Sequence, residues 1–225
     1  MEVKVATFDC YGTLIDWEGG AASFLYSLAR RFDPDPPPGR VLRERWEEIQ
    51  FGLLQQEYAP YREILASSLR AWAEERGFEP PDDAPEAFAL AMESWQPFPD
   101  TVPALRAAKD VGLRLWIISN TDRAIIAHSL RHLEVEFDGV TVAEDVRAYK
   151  PSDPPFDRAL SEIGASPDEI LHVAFGFKYD LAAAQRHGLR TAWVNRHREP
   201  APGPERPDFE WRDLWPLAEV ASGAP

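Results

Sequence analysis

The stretch Val3-Lys-Val-Ala-Thr-Phe-Asp-Cys-Tyr-Gly-Thr-Leu14 decides the fold. It opens with a short run that favours a β-strand and stops at Asp9, and a Gly-Thr turn follows at 12–13. Four later apolar runs of strand length also end at turn or polar residues, at 113–118, 139–143, 170–174 and 191–194. Because helical stretches separate these runs, they are typical of βα units. The sequence therefore predicts an α/β fold, a Rossmann-like core with a parallel sheet.

Residues 16–97 differ from the rest of the chain because they contain helix-length patterns and no convincing strand. Pro-rich breaks divide them into four predicted helices, at 21–31, 41–58, 61–76 and 85–95. Since this block follows the first strand and precedes the others, we expect it to cover the carboxyl edge of the sheet as an inserted helical cap. The predicted domains are a core of residues 1–15 plus 98–225 and a cap of residues 16–97.

The composition limits the possible partners. The 225 residues include 24 Lys and Arg against 38 Asp and Glu, a formal net charge of −14. A chain this acidic repels phosphate backbones and anionic headgroups, so neither nucleic acid nor a membrane is expected as a partner. The single cysteine, Cys10, cannot form an internal disulfide. Together with the lack of a basic-then-apolar leader, this predicts a cytoplasmic protein.

Polar residues follow the predicted strands at their carboxyl ends, where ligands bind in parallel α/β sheets. They are an acid, two hydrogen-bonding side chains, a cation and a second acid: Asp9, Ser119, Asn120, Lys150 and Asp180. A carboxylate beside a cation is held ionised and can act as a nucleophile. Lys150 would also position an anionic substrate, and Ser119 could bind substrate oxygens. The simpler alternatives are helix caps at Ser119, Asn120 and Asp180 and a surface position for Lys150.

The same residues resemble the four motifs of the haloacid dehalogenase superfamily. Phe8-Asp-Cys-Tyr-Gly-Thr-Leu14 is similar to the first motif, Ser119-Asn120 to the second, and Tyr149-Lys150-Pro151 to the third. The stretch that ends at Asp180 is similar to the fourth. The resemblance covers the whole chain in order and implies the Rossmann-like core with a helical cap between motifs one and two.

The resemblance also implies roles for these residues. Asp9 would be the nucleophile, and Thr13 and Ser119 its hydrogen-bonding neighbours in the active site. Lys150 would balance the charge, and Asp180 would lie near the hydrolytic water or the lysine. A homodimer is expected from the resemblance alone.

Two positions separate phosphatases of this superfamily from its 2-haloacid dehalogenases. Phosphatases carry an aspartate two residues after the nucleophile, which protonates the leaving alcohol; here that residue is Tyr11. Halide is a weak base and needs no such proton, whereas an alkoxide does. Phosphatases also place a magnesium-binding Gly-Asp after the fourth strand, where this chain has Ala174-Phe175. The loss of a hard oxygen ligand predicts chemistry without a metal or other cofactor.

The chain departs from the dehalogenase pattern in the residues that hold the substrate. An arginine usually follows a cap tryptophan, but Trp46 is followed by Glu47. Arg43, Arg45 or Arg62 could replace that arginine, and the sequence does not select among them; Arg45 represents them in the predicted site. The predicted substrate-binding residues are thus Tyr11, Thr13, Asn120 and Arg45. The five histidines are predicted to be structural or surface residues.

These observations predict a hydrolase of the 2-haloacid dehalogenase type, in which Asp9 displaces halide from a small 2-haloalkanoic acid. An aspartyl ester forms and is hydrolysed to a 2-hydroxy acid. The substrate is expected to be a small organic anion. Two alternatives remain: a magnesium-dependent small-molecule phosphatase, for which Mg²⁺ would be the cofactor, and a catalytically depleted binding protein.

Overall fold

A computed structural model describes residues 3–221 of the chain. Six parallel strands form one sheet in the order β3-β2-β1-β4-β5-β6. The strands are β1 Val5–Phe8, β2 Arg114–Ser119, β3 Gly139–Val142, β4 Ile170–Ala174, β5 Arg190–Val194 and β6 Phe209–Trp211. The α/β class and the five predicted strands are confirmed. The sequence interpretation missed β6, which has only three residues.

Ten α-helices surround the sheet in the described residues. Four lie between β1 and β2: α1 Trp17–Ala29, α2 Gly39–Leu54, α3 Tyr61–Glu75 and α4 Ala84–Met92. The others are α5 Thr101–Asp110, α6 Arg123–Leu133, α7 Ala143–Val146, α8 Pro154–Ile163, α9 Ala182–Arg186 and α10 Pro216–Ala221. The four helices predicted within 16–97 are confirmed, with ends that differ by up to four residues. No helix within residues 3–221 has the length and apolar character to cross a membrane.

The central position of β1 determines where the polar residues meet. Phe8 is in register with Ile117 of β2 and with Val173 of β4. Every residue of β1 and β4 is buried, as expected for parallel strands covered by helices on both faces. Asp9 therefore lies at the carboxyl edge of the sheet, between the ends of two neighbouring strands.

The helical insertion joins the sheet through two adjacent segments. The backbone N–H of Asp16 donates to the carbonyl of Gln96 at 2.9 Å, and that of Phe98 donates to the carbonyl of Leu14 at 3.1 Å. These bonds lie next to the predicted boundaries at 15/16 and 97/98, which stay a prediction. The predicted core range also includes residues 1–2 and 222–225, which lie outside the described residues.

Asp122 connects the sheet to the insertion in a way the sequence did not predict. It directly precedes α6, but its side chain makes no capping bond to that helix. Its carboxylate instead accepts hydrogen bonds from the backbone N–H groups of Tyr61 and Arg62, at 2.9 and 3.0 Å. Those donors have no partner within α3 because they lie in its first turn. Asp122 therefore fixes the start of α3 above the carboxyl edge of the sheet.

Candidate active site

Asp9 is the buried acid at the centre of this edge, with 8% of its surface exposed. Its Oδ2 accepts a hydrogen bond from Thr13 Oγ1 at 2.9 Å, and Thr13 Oγ1 in turn accepts one from the backbone N–H of Phe175 at 2.8 Å. The turn between them requires Gly12, whose φ is +92°. A Cβ there would lie 2.7 Å from the Phe175 ring. The Gly-Thr pair thus orients Asp9 through tight local packing.

Lys150 holds two carboxylates together. Its Nζ donates to Asp9 Oδ1 at 3.0 Å, to Asp180 Oδ1 at 2.6 Å and to the carbonyl of Ile118 at 2.8 Å. An ammonium has three N–H donors, so none remains for a substrate. For the predicted role of Lys150 in positioning an anionic substrate, Nζ has no donor left after Asp9, Asp180 and the Ile118 carbonyl. It is not a surface lysine, since only 1% of it is exposed.

Asn120 fixes the backbone of Lys150 rather than capping a helix. Its Oδ1 accepts from the Lys150 backbone N–H at 2.7 Å, and its Nδ2 donates to the Lys150 carbonyl at 3.0 Å. Its neighbour Ser119 has a buried hydroxyl with no hydrogen-bond partner. Because a buried polar group is costly without a partner, this hydroxyl is available for a ligand.

His172 is a residue of the site that the sequence interpretation missed. It is fully buried in β4, where it is in register with Thr7 of β1. Its Nε2 lies 3.1 Å from Asp180 Oδ1, and its Nδ1 lies 2.9 Å from Thr7 Oγ1. The signal available in the sequence was one polar residue, Thr7 or His172, inside each of two apolar strands. The network from Thr7 to Asp9 therefore runs through His172, Asp180 and Lys150.

The environment shifts the two acids in opposite directions. Burial raises the pKa of Asp9, and the negative charge of Asp180 adds to this rise, against the opposing effect of Lys150. Burial would also raise the pKa of Asp180, but Lys150 and His172 together lower it. Burial lowers the pKa of Lys150, but the negative charges of Asp180 and Asp9 outweigh this effect and leave the pKa of Lys150 raised. The site thus contains a firmly ionised Lys150–Asp180 pair beside the more basic carboxylate of Asp9.

A cavity of about 60 Å³ opens above Asp9. It has a sheet side, formed by Asp9, Tyr11, Ser119, Asn120, Lys150, Phe175, Tyr179 and Asp180, and a helical side, formed by Trp17, Glu47, Gln50, Leu54 and Tyr61. Since one water needs at least about 10–15 Å³ of such space, the cavity suits a molecule of a few heavy atoms.

Tyr11 lies in this cavity in a neutral form. Its hydroxyl is 2.9 Å from Ser129 Oγ, and its ring packs edge-on against Trp95. Burial raises the pKa of Tyr11 well above its ordinary value. A phenol this weakly acidic is a poor proton donor to a leaving group.

Arg45 lies outside the site, and its assignment as a substrate-binding residue is withdrawn. Its guanidinium pairs with Glu75 at 2.6 Å and with Glu48 at 2.6 Å, and 48% of its side chain is exposed. The reason is helical geometry, because two residues along α2 correspond to a turn of about 200°. Glu47 faces the cavity, so Arg45 points to the opposite side of the helix.

The other two candidate arginines are also absent from the cavity lining. Arg62 pairs with Glu86 at 2.9 Å on the surface. Arg43 is nearly buried and lies between Glu47 and Glu18, with both contacts at 2.6 Å. Burial raises the pKa of Glu47, and Arg43 opposes that rise. Where an arginine was expected, the cavity therefore contains a carboxyl group.

The comparison with known proteins agrees with this geometry. The family model of the haloacid dehalogenase-like hydrolases matches residues 3–188. The chain belongs to this family. This hydrolase is 27% identical over 206 residues to haloacetate dehalogenase H-2 of Moraxella sp. (strain B), covering 87% of each chain.

Further relatives support the same placement. An (S)-2-haloacid dehalogenase of Pseudomonas putida is 27% identical over 202 residues, which cover 86% of this chain and 85% of the relative. The solved structure of L-2-haloacid dehalogenase from Xanthobacter autotrophicus superimposes with a TM-score of 0.83 at 23% identity, covering 98% and 99% of the two chains. At that identity the structural match establishes the shared fold.

Proposed function

We propose that this hydrolase cleaves carbon–halide bonds in the manner of a 2-haloacid dehalogenase. Its substrate is a small 2-haloalkanoic acid or a close derivative, and its product is the 2-hydroxy compound. The observation that carries this proposal is the position of Asp9, a buried carboxylate beside Lys150. The cavity places Tyr11, a poor proton donor, near it, which suits a leaving group that needs no proton. Membership of the family and the names of the relatives support the reaction class.

In the first step, a carboxylate oxygen of Asp9 attacks the carbon that bears the halogen. The new C–O bond forms as the carbon–halogen bond breaks, and halide leaves with the bonding electrons. Because Asp9 is the more basic of the two acids, it is the better nucleophile when ionised. Thr13 and Lys150 hold its two oxygens and leave room for in-line attack from the cavity.

In the second step, water attacks the carbonyl carbon of the Asp9 ester. The ester bond breaks, the 2-hydroxy product leaves with a proton from water, and Asp9 is regenerated as a carboxylate. The second proton passes to solvent. Lys150 stabilises the negative charge on the ester oxygen because its Nζ already contacts Asp9. Asp180 orients this ammonium and, with it, the attacking water.

The residues fit a metal ion poorly. Within residues 3–221, no group of three or more His, Cys, Asp or Glu side chains is placed to hold one. The two carboxylates at the site, Asp9 and Asp180, already share the ammonium of Lys150. Phe175, whose side chain has no oxygen to offer a metal, lines the cavity beside them. We therefore assign the reaction to the side chains alone, without a cofactor.

Chloride release tests this function directly. The substrates are chloroacetate, both hands of 2-chloropropionate and a panel of phosphate esters, each with Mg²⁺ and with EDTA. We expect chloride release that EDTA does not affect and that Asp9→Asn abolishes. Retained chloride release in Asp9→Asn would refute the proposal. Phosphate release that requires Mg²⁺ would support the phosphatase, and no turnover of any compound would support a binding protein.

Three further predictions from the sequence stay proposals. They are a homodimer, a cytoplasmic location and the absence of nucleic acid as a partner. Light scattering of the purified chain tests the first: a mass of twice 25.4 kDa is expected, and a single-chain mass would contradict it.

A further inference from the structure

The charges in the cavity lining do not suit an anionic substrate. Three carboxyl groups line it, from Asp9, Glu47 and Asp180. In the part of the chain that the structure describes, Lys150 is the only basic side chain among the lining residues. The lining therefore carries more negative than positive charge, and a bound carboxylate would add to it.

Neither nearby cation presents a free donor to the inner cavity. All three N–H groups of Lys150 are used by Asp9, Asp180 and the Ile118 carbonyl. Arg43 does not line the inner cavity; Glu47 and Glu18 share its guanidinium, and its Nε is buried without a partner. Removing either cation from its acids would leave buried charges unpaired, which is costly.

The outer cavity that adjoins the site is also acidic. A larger outer cavity of about 440 Å³ adjoins the inner one, and the two share Glu47, Phe175 and Tyr179 in their linings. Five glutamates line the outer cavity, with Arg43 and Lys178 as its Arg and Lys residues: Glu18, Glu44, Glu47, Glu48 and Glu199. An anion that enters by this route meets repulsion before it reaches Asp9.

Two polar groups of the inner cavity match a different acyl group. Ser119 Oγ is buried without a partner and can donate to a carbonyl oxygen. Glu47 accepts a hydrogen bond from Arg43 at 2.6 Å, and in its carboxylate form it can only accept. A carboxamide offers both a carbonyl oxygen and N–H donors, whereas a carboxylate offers acceptors alone. The amide therefore complements both groups, and the carboxylate leaves Glu47 facing another negative oxygen.

We propose that this site selects small 2-halocarboxamides over 2-halocarboxylate anions, with Glu47 as the residue that determines this specificity. The proposal rests on the halide displacement by Asp9 described above and names its substrate class. The balance of the reaction is unchanged: Asp9 displaces halide, and water then releases the 2-hydroxyamide, a proton and the free carboxylate of Asp9. The amide bond remains intact.

Chloroacetamide and chloroacetate form a nearly isosteric pair for the test. With the unaltered protein we expect kcat/KM for chloride release to be at least about tenfold higher for chloroacetamide, because a site with an unpaired charge rejects the mismatched analogue strongly. Acetamide should likewise inhibit at lower concentration than acetate. Equal values, or a preference for chloroacetate, would overturn the proposal.

Glu47→Gln tests the residue itself. The carboxamide of Gln keeps the size of Glu47 but can donate to a carboxylate, so the amide-to-acid ratio of kcat/KM should fall about tenfold. Glu75→Gln is the matched control, because it removes one carboxylate from a surface ion pair with Arg45 and should leave the ratio unchanged. An unchanged ratio in a folded Glu47→Gln protein would overturn the assignment. If that variant does not fold, the ratio and the inhibition constants of the unaltered protein decide.

Two controls distinguish a failure of this specificity proposal from a failure of the halide displacement on which it rests. Chloroacetamide also alkylates thiols. The one cysteine, Cys10, is buried, and burial raises the pKa of its thiol. Alkylation of this cysteine would release at most one chloride per chain. Chloride is therefore counted over many turnovers, with Asp9→Asn as the blank. If neither compound gives more than one chloride per chain, the proposed function and this proposal both fail. If chloroacetate is the better substrate and Asp9→Asn is inactive, only this proposal fails.

Discussion

The sheet side and the helical side of the cavity are built in different ways. On the sheet side, Asp9, Lys150 and Asp180 are bonded to one another, and each follows or joins the ends of β1, β2 and β4. On the helical side, Glu47 is bonded to Arg43 within the insertion and, among residues 3–221, to no residue of the sheet. The comparison teaches that the reaction and the choice of substrate can be assigned to separate parts of the chain. In our proposal, the sheet side holds the nucleophile and Glu47 on the helical side selects the substrate.

Removing the cation that joins the sheet-side carboxylates should have the largest effect. Lys150→Met leaves Asp9 and Asp180 buried without their ammonium, and breaking a buried pair costs about 3–5 kcal/mol of the free energy of unfolding. Chloride release should be lost together with this stability. Urea denaturation followed by circular dichroism measures the first effect. Lys109→Met, on the surface beside Asp138, is the control and should change stability by no more than about 1 kcal/mol.

His172→Gln sharpens the comparison because His172 contacts Asp180 of the sheet side but does not itself line the cavity. Its loss removes the contact that orients Asp180, so kcat should fall, by up to about 100-fold if the acid shifts by an ångström. KM should change little, since no cavity group is altered. A rise in KM with unchanged kcat would contradict this positioning role.

The pH dependence follows from the raised pKa of Asp9. The reaction needs the carboxylate, so activity is lost as the pH falls through that pKa, at a value above the ordinary aspartate pKa of about 3.9. Asp180 contributes to the rise, so the acidic limb of kcat/KM in Asp180→Asn should move to lower pH. The residual activity of that variant measures the shift. If the acidic limb of kcat/KM lies at the same pH in Asp180→Asn, then Asp180 does not raise the pKa of Asp9.

Arg45→Ala should have the smallest effect. Arg45 pairs only with glutamates on the surface of the insertion, and exposed ion pairs contribute about 0–1 kcal/mol. Both kcat and KM should match those of the unaltered protein for every substrate. A clear rise in KM for chloroacetate alone would return Arg45 to the substrate-binding residues.

The sequence predicted the sheet side well because its residues are tied to strand ends. Asp9 and Ser119 follow or end buried strands, and parallel strands bring their carboxyl ends to one edge. The order of residues along the chain was then enough to place them together. His172 was missed because it lies inside an apolar strand, where its partner Thr7 is distant in sequence.

The helical side could not be predicted in the same way. Which face of α2 points to the cavity depends on its packing against α1 and α3, and Trp46 is buried there with a hydrogen bond to Ser68. Arg43, Arg45 and Glu47 lie within five residues of one helix, so the rotation of α2 about its axis decides whether a cation or an acid faces the cavity. Only the structure shows that the acid faces the cavity.

The central claim, covalent displacement by Asp9, is tested most directly by tracing oxygen. A single turnover is run in water labelled with ¹⁸O, with the protein in excess over chloroacetamide or chloroacetate. We predict that the product hydroxyl carries unlabelled oxygen from Asp9, and that mass spectrometry finds the label in the peptide containing Asp9. Labelled oxygen in the product, with none in that peptide, would mean that water attacks the substrate directly and would contradict the account.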